Sequence, residues 1–82
     1  MAPRVTLQAV PVMTGCNDRE GCLVLADGQL VAVLVRLADE MHADQRGSWF
    51  VEAAFGPCRT ATLPLFDDVD EAQAWVRQKL AD

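Results

Sequence analysis

Lysine, serine and histidine each occur once in the 82 residues, as Lys79, Ser48 and His42. Seven Lys and Arg stand against twelve Asp and Glu, for a formal charge of −5. Nucleic acid is therefore not expected as a partner, because phosphate binding needs clustered cations that displace counterions. The lone serine lies in Arg46-Gly47-Ser48-Trp49-Phe50, which is not a Gly-x-Ser-x-Gly nucleophile elbow. The five glycines are spread over positions 15, 21, 28, 47 and 56, so no phosphate-cradling loop is present and no cofactor is expected. No uncharged apolar run approaches the ~18 residues of a membrane-spanning helix. The first residues do not form a signal peptide, so a cytoplasmic protein without membrane contact is expected. Three cysteines, an odd number, cannot close a disulfide framework, and a reducing compartment leaves them as free thiols. Few lysines beside many alanines hint at a GC-rich bacterial genome.

What remains is apolar: 51% of residues are hydrophobic and 23% charged. That is enough to offset chain entropy in one small domain over residues 1–82, and too little for two cores. Residues 4–10 alternate with period two, with Val5, Leu7 and Ala9 on one side and Thr6, Gln8 and Val10 on the other. Pro11 has no backbone donor, so residues 1–19 are read as a weak edge strand or loose arm followed by a loop. Asp27-Gly28 between two β-rich runs is a type I′ hairpin signal. A two-residue turn sets Ala26 opposite Gln29, Leu25 opposite Leu30, Val24 opposite Val31, Leu23 opposite Ala32 and Cys22 opposite Val33. Carried further, this register brings Arg19 against Arg36, so the ladder is expected to end or bulge near Glu20.

In that register one side of the hairpin carries Leu23, Leu25, Leu30, Ala32 and Leu34. The other carries Cys22, Val24, Val31, Val33, Val35 and Leu37. Neither side is polar, whereas an antiparallel strand with one wet face alternates. The run from Leu30 to Val35 is thus expected to be central and covered on both sides. Residues 38–47 are a polar connector, and 48–55 a third strand with Trp49, Val51, Ala53 and Phe55 on one side and Phe50, Glu52 and Ala54 on the other. Residues 58–63 offer a short edge strand closed by Pro64. Asp68 is an N-cap with Glu71 three residues on, and Val69, Ala72, Val76 and Leu80 form one stripe flanked by Trp75. The fold class is α+β: an antiparallel β-meander of three to four strands with one C-terminal α-helix packed on one face.

Groups able to carry chemistry are sparse. Cys16, Cys22, His42 and Cys58 have the donor types of a zinc site without its Cys-x₂-Cys spacing. Asp39, Glu40, His42 and Asp44 sit in a hydrated connector. Cys58 follows Gly56-Pro57 in a turn, and pairing with His42 is conceivable, yet nothing local lowers its thiol pKa. Glu52 is either a surface charge or an acid buried by whatever covers its side of the sheet. Asp67, Asp68, Asp70 and Glu71 are the only acidic cluster, and helix initiation accounts for them.

The candidate functional residues are therefore His42, Cys58, Glu52 and Trp49, with no catalytic, cofactor or metal set complete. The sequence leans away from an enzyme. One helix cannot cover both sides of the hairpin, so a second copy of the chain is the expected cover. The leading expectation is a cytoplasmic, non-enzymatic protein-interaction module that forms a homodimer and binds a further protein. The alternatives are a small-molecule- or metal-binding protein with its site at a subunit boundary, and an acidic inhibitor of a nucleic-acid-binding enzyme.

Overall fold

A computed structural model describes residues 3–13, 19–38 and 47–81. Five antiparallel strands lie side by side in chain order, followed by one helix. They are β1 (Val5–Pro11), β2 (Glu20–Ala26), β3 (Gln29–Arg36), β4 (Trp49–Ala54), β5 (Leu65–Phe66) and α1 (Val69–Ala81). The α+β class and the meander are as expected, with five strands where three to four were counted. The Leu30–Val35 run lies on the middle strand, and Pro11 ends an edge strand where its missing N–H costs no ladder bond. Residues 58–63 are not a strand. A 3₁₀ turn at Gly56–Cys58 is followed by irregular chain, and the fifth strand comes after Pro64, where Leu65 and Phe66 meet Phe50 and Trp49.

The Asp27-Gly28 turn forms as its chemistry dictates, with φ of 51° and 83° at the two residues. Asp27 has a second task. Its N–H donates to the Arg4 carbonyl at 2.8 Å, and its carboxylate accepts from the Arg4 N–H at 2.9 Å. The turn thereby holds the start of β1.

Past the turn the hairpin register differs from the simple expectation. Ala26 meets Gln29 and Leu25 meets Leu30, but Val24 then meets Ala32, leaving Val31 as the extra residue of a bulge. Every later pair is shifted by one: Leu23 with Val33, Cys22 with Leu34, Gly21 with Val35. Arg36 consequently reaches Glu20 at 3.5 Å, and the like-charged pair with Arg19 does not arise. The ladder ends near Glu20, as expected, with Gly21 and Val35 its last pair, and the bulge lies close to the turn. A second bulge between β3 and β4 leaves Glu52 unopposed, since Val33 meets Ala53 and Leu34 meets Val51. It returns Ala54 to the same side as Val51 and sends Ala53 across with Phe50, which corrects the simple alternation of β4.

The two sides of the sheet follow from these registers. One carries Cys22, Val24, Ala26, Ala32, Leu34 and Val51 and packs on Ala72 and Val76 of α1. Leu34, Val24, Val51, Val76 and Cys58 are fully enclosed there. Phe66 and Trp75 close the far end with ring centroids 5.7 Å apart, a tilted contact worth about 1 kcal/mol beyond burial. The helix begins at an Asp68 cap whose carboxylate accepts from the Glu71 N–H at 2.9 Å. Glu71 reaches back one residue further than in the usual box and accepts from the Asp67 N–H at 2.9 Å.

Candidate functional site

Three of the four expected functional residues, Cys58, Glu52 and Trp49, are described, and they stand in different surroundings. His42 and Cys16 lie outside the described residues, as do Asp39, Glu40 and Asp44. Cys58 has no exposed surface and sits in the core beneath α1. Burial pushes its thiol pKa up, and the Lys79 ammonium pulls the other way more weakly. Cys22 lies on the same side of the sheet, also buried, and desolvation raises its thiol too. Both are free cysteines, and both stay protonated and shielded at neutral pH, the reverse of an activated nucleophile. Glu52 is exposed at its bulge, and Trp49 is partly buried against the rim of the core.

Among the described residues no group of three or more His, Cys, Asp or Glu is placed to hold a metal ion. Two members of the acidic cluster, Asp68 and Glu71, use a carboxylate oxygen at the helix start. A shallow depression of about 360 Å³ at one end of β1 and β2 is bordered by Ala9, Val10, Pro11, Arg19, Glu20 and Gly21. Its one acid, Glu20, faces Arg36, so it holds no nucleophile and base together.

The feature that does stand out is the side of the sheet away from α1. Register places Leu23, Leu25, Leu30, Val33, Val35, Phe50 and Ala53 there, with Thr6, Gln8 and Val10 along its β1 rim. Exposure along it is graded. At one end Val35 is buried, and Val12 leans over Gly21 so closely that a Cβ at position 21 would lie 2.8 Å from Val12 Cγ1. Toward the turn the surface opens: Leu23, Leu25 and Val33 are half-buried and Leu30 is 39% exposed. No described helix lies over this side. Sequence reasoning located the apolar surplus from the lack of alternation, though the bulge redistributes which residues supply it.

The second notable feature is the outer edge of β1. Seven residues long and without a charged side chain, it pairs with β2 on one side and with no described strand on the other.

In comparison with known proteins, no family model, no curated protein and no solved structure matches the chain. No described helix is long and apolar enough to cross a membrane.

Proposed function

We propose that the chain is a non-catalytic, self-associating interaction module whose working surface is the apolar side of the sheet opposite α1. The carrying observation is the central hairpin, apolar on both sides, with a single helix packed on one of them. An apolar surface of this kind on a small protein is commonly a contact surface for another protein. The buried, protonated thiols of Cys22 and Cys58 support a binding role over thiol chemistry. Cys22 and Cys58, the two described cysteines, are free, which also suits the reducing cytoplasm of a bacterial cell, the setting we assign.

The test is the mass in solution. Light scattering behind size exclusion, run from 10 µM to 1 mM on the whole chain, is expected to show a concentration-dependent dimer. Val33→Lys, on the opposite side from α1, is expected to fold and to lose capture of any protein partner. A strict monomer at 1 mM removes self-association from this reading.

A further inference from the structure

We propose that the second copy joins at the outer edge of β1, antiparallel, with the two-fold axis passing at Leu7. This rests on the self-association reading above and places the contact between copies at the sheet edge, which leaves the apolar side opposite α1 for the further protein. Two five-stranded sheets become one sheet of ten.

Three observations carry it. First, among the described residues nothing guards the edge. Natural edge strands are blunted by charge, a bulge, a covering element or short length. β1 has seven residues, no charge and no bulge against β2, and Thr6 to Ala9 are exposed. The opposite edge is protected by brevity, since β5 has two residues and leads directly toward α1.

Second, the backbone phase is set. Arg4 exchanges bonds with Asp27, and the Val12 N–H donates to the Arg19 carbonyl. The β1–β2 register is continuous between these points. Alternation then aims the backbone groups of Thr6, Gln8 and Val10 at β2, and those of Val5, Leu7 and Ala9 outward. The outward row therefore holds three N–H donors and three carbonyl acceptors.

Third, this row is symmetric. Pro3 and Pro11 each stand four residues from Leu7. With Leu7 opposite Leu7 of the second copy, Val5 meets Ala9 and Ala9 meets Val5. All six outward donors of the pair find acceptors, and the prolines fall just outside the ladder, facing each other. A shift of two residues either way brings a proline opposite Val5 or Ala9. Across the other face Thr6 meets Gln8, and Arg4 meets Val10, so no like charges are opposed. Leu7 shares a side with Val5 and is 37% exposed, lying beyond the cover of α1. At the axis the two leucines cover each other.

The axis of such an antiparallel pair runs perpendicular to the sheet. Both helices thus lie on one side of the dimer, and both uncovered apolar surfaces on the other. Edge pairing over so few residues falls short of the ~800 Å² per partner of a standard stable interface, so the dimer dissociates on dilution.

Amide hydrogen exchange read residue by residue, together with light scattering, tests the proposal on the whole chain. In concentrated wild type, Val5, Leu7 and Ala9 amides are expected to be protected, and on dilution to lose that protection at least tenfold. Thr6, Gln8 and Val10 stay protected throughout, to the extent that β1 stays folded. Leu7→Lys sets two ammonium groups at the axis and is expected to weaken dimerisation at least tenfold with dilute-state melting unchanged. Should that variant fail to fold, Ala9→Pro removes an outward donor without touching those that face β2, and the same weakening is expected. A wild-type dimer whose Val5, Leu7 and Ala9 amides exchange equally fast at every concentration overturns the edge contact while leaving self-association intact. A monomer at all concentrations overturns both.

Discussion

The two sides of the sheet are built from the same kinds of residue and end in different states. Beneath α1, Val24, Ala32, Leu34 and Val51 have no exposed surface. Their neighbours on the same strands, Leu23, Leu25 and Val33, point the other way and remain half-exposed. Hydrophobic composition therefore does not decide which side becomes the core. The deciding factor is the helix, whose Ala72 and Val76 are fully buried on one side with Val69, Trp75 and Leu80 packed around them. A small domain with one such rod stabilises one side and leaves the other for a contact from outside.

The largest separation between the sides is expected from paired truncations on β3. Leu34→Ala removes an enclosed side chain and is expected to cost about 3 kcal/mol in urea unfolding, because the cavity beneath α1 cannot collapse freely. Val33→Ala, one residue away and half-exposed, is expected to cost less than about 1 kcal/mol at dilute, monomeric concentration. Equal losses would remove the distinction drawn between the sides.

Gly21 tests the closed end of the open side. A Cβ there would stand 2.8 Å from Val12 Cγ1 and 3.0 Å from the Val10 carbonyl. Gly21→Ala is expected to destabilise by about 1–2 kcal/mol and to loosen β1 first, seen as faster exchange at Thr6, Gln8 and Val10. On the helix side, Asp68→Ala removes the cap on Glu71 and is expected to cost about 1 kcal/mol, with Asp68→Asn restoring most of it.

The buried thiols give the covered side a pH signature that the open side lacks. Burial raises the folded pKa of Cys22 and Cys58, so the unfolded chain loses its thiol protons first. The unfolded state then binds fewer protons, and stability falls as pH rises through the ordinary thiol value of 9.0 toward the higher folded values. Below that range the contribution of these groups is fully present. Denaturant midpoints measured from pH 7 to 10.5 should decline, and Cys58→Ala should flatten the slope whatever its effect on overall stability. The smallest effect is expected at Glu20. Its contact with Arg36 is 3.5 Å long between exposed side chains, and Glu20→Ala should change stability by less than about 0.5 kcal/mol.

Much of the fold was legible where local chemistry is decisive. Asp27-Gly28 demands positive φ, Pro11 belongs at an edge, and Asp68 with Glu71 starts a helix. The bulges were not legible. Register is written into a strand by the contrast between its polar and apolar sides, and Leu30 to Val35 offers no contrast. Slipping by one residue there still leaves apolar groups on both sides, so the run's own pattern does not select the register. The strand at Leu65–Phe66 was missed for a related reason: two residues carry no periodicity, and their pairing with Phe50 and Trp49 defines them. For the candidate site, the turn at Gly56-Pro57-Cys58 could be read, but the burial of Cys58 depends on a helix more than ten residues further along the chain.

The bond from Asp27 to Arg4 ties two events into one. Reversal of the chain between β2 and β3 places the carboxylate and amide that receive Arg4, so closing the hairpin also fixes where β1 begins along β2.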